Sequence, residues 1–414
     1  MGKLQPARGT RDIFGEDARR MEAVTAAFEA TARTYGFQLL ATPIFEFTEV
    51  FARPLGESSD IVTKEMYSFS DRGGEAITLR PEFTAGVARA FISAGMQQSL
   101  PVRLMSHGPV FRYERPQKGR YRQFHQINAE FIGSETPETD VEMITMAWRV
   151  LESLDIVDKV TLHLNTLGDR ESRTVYRDRL VTYFGAHKAA LSQDSQRRLD
   201  TNPMRILDSK DEGDRVVVEK APPLDESLTQ ASLDFYARVE DGLRACDVPF
   251  TRDTRLVRGL DYYTHTAFEF ITDALGAQGT VIGGGRYDGL IEQLGGPSVP
   301  GMGWAGGLER LALLLDAAPS VQRPVVIMPM GDAAVRAALS LAEDLRAAGH
   351  TVIADRSGNL KKRLTRAAKA GANHAVILGE DELAADRVTL RNLDAGDQES
   401  LPRKALTDRL AAWS

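Results

Sequence analysis

A single cysteine, Cys246, among 414 residues excludes an internal disulfide and any zinc or iron–sulfur site built from several thiolates. No apolar run approaches the roughly 18 to 20 residues that a membrane span needs. The N-terminus is polar and charged where a secretory leader would be basic and then apolar, so a cytoplasmic location is expected. Neither G-x-x-x-x-G-K-S/T nor H-E-x-x-H occurs, so any triphosphate is handled without a P-loop and no helix carries that zinc motif. Bases do not outnumber acids: 51 Lys and Arg against 58 Asp and Glu leave a formal charge of −7. That balance argues against indiscriminate binding of nucleic acid along the whole surface.

The composition, 43% hydrophobic and 26% charged, is that of a folded chain. Its length suits two or three domains of roughly 100 to 200 residues. Met21, Val24, Phe28 and Tyr35 share one face of a helix expected over residues 16–35 and closed by Gly36. The strand-like FQLLATPIFEF contains Pro43, which suits an edge, a bulge or an interface strand. Short strands and a helix near 84–95 lead to an amphipathic helix over 139–154. Residues 168–228, rich in Arg, Asp, Ser and Gln, read as a helical insertion. Beyond AAPSVQRP, strand and helix alternate through VVIMPM, HTVIA, HAVILG and RVTLRNL. The expected architecture is an α+β domain over residues 1–321 with a central antiparallel sheet flanked by helices. The insertion interrupts it at 168–228, and a C-terminal α/β domain with a largely parallel sheet covers 322–414.

One motif is deceptive. GMGWAG (Gly301, Gly303, Gly306) fits the dinucleotide fingerprint G-x-G-x-x-G, but Pro297 and Pro300 precede it instead of a buried parallel strand, and no acid follows at the right distance. The informative stretch is GPVFRYERPQKGRYRQFHQINAEFIG, residues 108–133, where two alternating strands flank a cationic loop. A period of two places Arg112 and Glu114 on one face of the first strand. It places Gln126, Asn128 and Glu130 on one face of the second, with Glu130 pointing into a cleft. TLRPEFT sets Glu82 and Thr84 at the mouth of a helix, LVRGLDYYTHTAFEF carries Arg258, Tyr262 and Tyr263, and GGLERLALLL carries Arg310 on an apolar helix. Buried arginines are costly unless paired, so these placements together point to one shared anionic ligand.

These stretches resemble a class II aminoacyl-tRNA synthetase, specifically the histidyl-tRNA synthetase family, over essentially the full length. TPIFEFTEVFARPLGESSD is similar to the family's motif 1, FRYERPQKGRYRQFHQ to motif 2 and GGLERL to motif 3; LVRGLDYYTHTAFEF and GGGRYDGL resemble the two histidine-specific signatures. The resemblance implies activation of L-histidine with ATP and transfer to the 3′ end of tRNA-His. It gives Arg112 the α-phosphate and substrate carboxylate, Arg120 and Arg310 the outer phosphates, Glu114 the adenine edge, and Phe124 stacking on adenine. Arg258 becomes the catalytic arginine at the α-phosphate. Glu82, Thr84 and Gln126 would take the α-amino group, Glu130 and Tyr263 the imidazole, with Tyr262 and Tyr287 as walls or plain packing. Arg115, Gln117 and Lys118 would meet the acceptor end of tRNA. Magnesium accompanies ATP, its protein ligands unassigned. The C-terminal domain resembles an anticodon-binding domain, its basic run Arg356 to Lys369 being a candidate for phosphate contact. Motif 1 implies a homodimer, and neither DNA nor a membrane is expected as a partner.

Three rivals remain open on the residues. A catalytically inactive, histidine-sensing regulatory paralogue of a biosynthetic enzyme would usually lack the C-terminal domain and the arginines. A sister synthetase for threonine or glycine is disfavoured by LVRGLDYYTHTAFEF. An RNA-binding scaffold would leave the cleft carboxylates unexplained.

Overall fold

The computed structural model describes residues 3–56, 59, 61–117, 119–207, 209, 211–256, 262–276 and 279–412. The chain divides into two compact units, Met1–Pro319 and Ser320–Ser414.

The first unit is built on an eight-stranded sheet. From one edge its strands are Gln38–Leu39, Val102–Phe111, Gln123–Ile132, Gly301–Gly307, Thr280–Arg286, Thr264–Ile271, Thr161–Thr166 and Thr251–Arg252. The six inner strands pair antiparallel and only the two-residue edge strands pair parallel, so the sheet is mixed at its margins. Alternation sorts its faces. Ile127, Ala129, Phe131, Met302 and Trp304 enter one core with Phe28 of the helix Gly15–Thr34, Ile144 of Pro137–Ser153 and Leu311 of Leu308–Leu314. The residues between them face the opposite side, where the cleft lies.

Pro43 does more than mark an edge. The stretch read as one strand separates into Gln38–Leu39, at the margin of the large sheet, and Phe45–Phe47, in a separate three-stranded antiparallel sheet with Tyr67–Ser70 and Ala76–Leu79. Proline has no N–H for a ladder, so the chain changes sheets there. Arg80 seals the junction: its Nε donates to Pro109 O at 2.8 Å and its Nη1 to Thr42 O at 2.8 Å.

Among the described residues, 170–227 hold helices joined by short non-helical connections and enclose their own apolar cluster, including Tyr176, Leu180, Phe184 and Ile206. A buried ion pair anchors the end of the strand Thr280–Arg286. Arg286, fully enclosed, bonds Asp140 at 3.0 Å through Nε and Ser134 O at 2.8 Å through Nη1. Every donor of such a guanidinium needs a partner in the interior, and these fix the start of the helix Pro137–Ser153.

The second unit has a five-stranded sheet, in which Val352–Ala354, Val325–Pro329 and His374–Leu378 run parallel. Arg387–Asn392 and Gln398–Pro402 then add antiparallel, so the parallel part is smaller than the strand–helix alternation implies. The last strand, QESLP, lacks the apolar alternation that would reveal it. Part of the basic run is structural: on the helix Leu360–Lys369, Arg363 is buried with Nη1 on Pro329 O at 2.7 Å, and Arg366 pairs with Asp355 at 2.6 Å. Arg356, Lys361, Lys362 and Lys369 are exposed.

Candidate active site

One face of the central sheet is paved with the smallest residues. Gly303 stands opposite Glu130 and Gly285, and Ala305 opposite Asn128 and Gly283; Gly307 stands opposite Gln126. Glycine within a strand weakens it but admits close approach of a ligand or a neighbouring chain. GMGWAG is therefore no phosphate loop. It is an inner antiparallel strand whose period-two glycines, Gly301 and Gly303, make room for Tyr287 and Glu130, and Gly283 and Gly285 repeat the spacing on the neighbouring strand. This signal was present in the sequence, and a reading confined to phosphate motifs passes over it.

Over that floor the structure brings together Glu82, Thr84, Arg112, Glu114, Arg120, Phe124, Gln126, Tyr262, Tyr263 and Arg310, from stretches up to 228 positions apart (310 minus 82), around one cavity of about 250 Å³. Arg258 and Lys118 lie outside the described residues. Arg115 and Gln117 are exposed on the loop and do not line the cavity. The strand Val102–Phe111 ends before Arg112, so Arg112 and Glu114 sit on the connecting loop and not on a strand face. Beyond it, main-chain pairing across the hairpin consists of Arg112 N donating to Arg122 O at 2.9 Å and an isolated bridge between Gln117 and Arg120.

Three guanidinium groups dominate the field. Arg112 donates Nε to Pro81 O at 2.9 Å and lies 5.5 Å from the centre of the Phe124 ring. Arg310 donates Nη1 to Thr280 O at 2.7 Å and Nε to Gly119 O at 3.2 Å. Arg120 pairs with Glu114. Burial, then Arg120 and Arg112, pull the Arg310 pKa down, a measure of how closely like charges crowd this end. A guanidinium stays charged at any working pH, so the crowding is relieved by an anion bound between them.

At the other end the groups are acceptors. Glu82 takes Thr84 N at 2.6 Å and Ala85 N at 2.9 Å, capping the helix Thr84–Ser93; burial raises its pKa against those bonds and Arg112. The Gln126 Oε1 is buried and without a hydrogen-bond partner among the described residues. An unmet acceptor beside a helix-mouth carboxylate suits an ammonium donor.

Glu130 departs from expectation. It is on the predicted face but fully enclosed, one layer beneath the cavity lining. Thr84 Oγ1 donates to it at 2.5 Å and Asn128 Nδ2 at 2.9 Å, and Tyr287 Oη donates as well. Gly303 makes the space, since a Cβ there would stand 1.6 Å from Glu130 Oε2. Tyr287 is thus a partner of Glu130 and no cavity wall, a role the sequence reading did not foresee.

Burial pushes the Glu130 carboxyl up to about 7, against the bonds from Thr84, Tyr287 and Asn128. Folding therefore tightens its hold on a proton relative to an ordinary value of 4.5. The stability this contributes is complete below about 4.5 and is lost as pH rises through about 7. Glu130→Gln is expected to flatten the decline of stability over that window, by up to about 1.4 kcal/mol per pH unit. Denaturant unfolding at intervals of pH measures it; a slope identical in parent and variant would assign the decline to other groups.

The family model described as histidyl-tRNA synthetase matches residues 9–311, and that described as an anticodon binding domain matches residues 324–413. A histidine–tRNA ligase of Gluconobacter oxydans is 53% identical over 412 residues, covering 100% of this chain and 99% of that protein. One from Rhodospirillum rubrum is 53% identical over 414 residues, covering 100% of each. The crystal structure of apo S. aureus histidyl-tRNA synthetase superposes with a TM-score of 0.83 at 34% identity, covering 98% of this chain and 99% of that one.

Proposed function

The chain belongs to the histidyl-tRNA synthetase family and acts as an ATP-dependent ligase of histidine to tRNA; we propose that the cleft described above carries out the amino-acid activation, with the following division of labour. A carboxylate oxygen of histidine attacks the α-phosphorus of ATP, the bond to the bridging oxygen breaks, and pyrophosphate leaves with the electron pair. A ribose hydroxyl at the 3′ end of tRNA-His then attacks the carbonyl of the adenylate and AMP departs. Both steps are mainly positioning and charge stabilisation.

Arg112 holds the α-phosphate and the substrate carboxylate together, with Arg258 joining it at the phosphorus on the strength of the sequence resemblance. Arg120 and Arg310 take the outer phosphates. Phe124 stacks on adenine and Glu114 meets its edge, which requires Glu114 to share itself between the base and Arg120. Gln126, Glu82 and Thr84 receive the α-amino group. Glu130 and Tyr263 read the two imidazole nitrogens, Glu130 from beneath, once Thr84 or Tyr287 yields one of its lone pairs. The observation that carries this reading is the convergence of Arg112, Arg120 and Arg310 at one end of the cleft with the unmet Gln126 acceptor in the same cavity. A protein that only senses histidine has no use for the arginine end.

Magnesium belongs to the nucleotide substrate. No protein group is assigned to it. Arg115, Gln117 and Lys118 contact the acceptor end of tRNA, and the exposed bases of the helix Leu360–Lys369 contact anticodon-stem phosphates. A homodimer accounts for Phe45, Phe47 and Phe69, aromatic side chains on the small sheet that are 59%, 53% and 51% exposed in the single chain. Charging tRNA for translation places the chain in the cytoplasm; among the described residues no helix is long and apolar enough to cross a membrane.

Incubated with ATP, magnesium, histidine and tRNA-His, the protein is expected to form histidyl-tRNA. Adenylate formation without any charging of tRNA would confine its activity to the first step.

A further inference from the structure

Three contacts join the start of the helical insertion to the wall of the proposed histidine pocket. Leu167 N donates to His265 O at 2.6 Å, and His265 N donates to Gly168 O at 2.8 Å. Arg173, in the first turn of the helix Arg170–Ala186, donates Nη1 to the main-chain carbonyl of Tyr263 at 2.7 Å. The wall between is thin. Tyr263 lines the cleft that holds Arg112 and Gln126, Thr264 and His265 line a second cleft bordered by Arg170, Arg173 and Arg177, and Tyr262 lines both.

The platform that carries Arg173 is firmly held. Asp169 caps the helix by accepting Ser172 N at 2.7 Å, and it takes Thr229 Oγ1 at 2.5 Å. Although burial alone would raise its pKa, the bonds from Thr229, Ser172 and Ser232 hold it at about 2. The wall is equally constrained: His265 has φ 44°, a left-handed conformation that a non-glycine residue keeps only where its surroundings enforce it. Its ring stacks on Phe235 with centroids 4.5 Å apart. The Tyr263 main chain is thus pinned from the insertion side by a charged donor, while the residue lines the cleft.

We propose that Arg173 is a positioning residue for histidine recognition, holding the Tyr263 backbone so that the phenol meets the imidazole. The role rests on Tyr263 as a reader of the imidazole. A guanidinium bond to a carbonyl is stronger than a neutral one, and a displacement of about 1 Å in a reading group costs up to about 100-fold. The insertion thereby acts on the amino-acid step, independently of any contact with tRNA.

The test is ATP–pyrophosphate exchange without tRNA, with KM for histidine and for ATP measured separately on the full chain. Arg173→Ala is expected to raise the histidine KM about 10-fold while ATP KM and kcat stay within about twofold. Arg173→Lys, which keeps a charged donor, recovers at least half of that loss on a logarithmic scale, and Arg177→Ala, from the same second cleft, matches the parent. A rise shared equally by both KM values, or a lowered melting temperature with the histidine KM unchanged, overturns the proposal. Tyr263→Phe is run alongside. If it raises the histidine KM and Arg173→Ala does not, the positioning role alone fails; if it leaves the histidine KM unchanged, the reading of Tyr263 fails and takes the positioning role with it.

Discussion

Arg112→Ala is expected to slow formation of histidyl-adenylate by about 100- to 1,000-fold, the usual cost of removing a donor that meets charge developing in a transition state. Arg112 lines the cleft with Arg120 and Arg310. It is close enough to Glu82 to lower that carboxyl's pKa and to Arg310 to lower that guanidinium's. Its Nε is anchored on Pro81 O at 2.9 Å. A planar fork there can bridge a phosphate oxygen and a carboxylate oxygen, and so brings attacking and attacked groups together while neutralising both. Lysine carries the charge without the fork, so Arg112→Lys should recover only part of the rate. Single-turnover measurements at saturating histidine and ATP separate the chemical step from binding. A rate within threefold of the parent, with the defect confined to KM, would reduce Arg112 to a binding residue.

Gly303→Ala should abolish histidine-dependent exchange almost as thoroughly, by about 100-fold or more if a buried reading group is displaced by an ångström or so. The added Cβ would stand 1.6 Å from Glu130 Oε2 and 2.9 Å from Ala129 O. The backbone oxygen is held in the ladder, so the carboxylate has to leave its donors Thr84, Asn128 and Tyr287. A buried charged acceptor that loses its partners costs several kcal/mol, which lowers stability as well as histidine affinity. The double variant Gly303→Ala with Glu130→Ala removes the overlap with the carboxylate, leaving only the tight approach to Ala129 O, and should regain part of the stability without regaining histidine binding. Gly289→Ala, where a Cβ meets nothing within 4 Å, is the control and should behave as the parent. Normal histidine binding by Gly303→Ala would show that Glu130 is free to shift and that the glycine is not needed for its space.

The residues that make up the charged ends of the cleft were legible because they break local rules. Arg310 on an apolar helix, Glu82 beside a helix start and Gln126 on a strand face are each expensive in isolation, and a common ligand explains them together. What stayed hidden depends on the pairing of strands distant in sequence. Nothing in residues 301–307 taken alone says that Gly303 lies against Glu130, since that register joins positions 173 apart (303 minus 130). The same ignorance left Tyr287 as a wall or plain packing when it is a donor to Glu130, and left Arg363 and Arg366 within a run read as a candidate for phosphate contact when Asp355 and Pro329 O engage them. Local propensity also misplaced Arg112 and Glu114 onto a strand, because alternation carries on in the sequence past Phe111 while the ladder does not.

The central claim is that this cleft selects histidine by its ring and activates it with ATP. Amino-acid-dependent exchange of pyrophosphate into ATP, measured for each of the twenty amino acids with the same preparation of the full chain, tests it most directly. Histidine alone is predicted to support exchange, because only imidazole offers one nitrogen to the Glu130 carboxylate and another to the Tyr263 hydroxyl. Equal exchange with threonine or glycine, or none with histidine, would contradict the account.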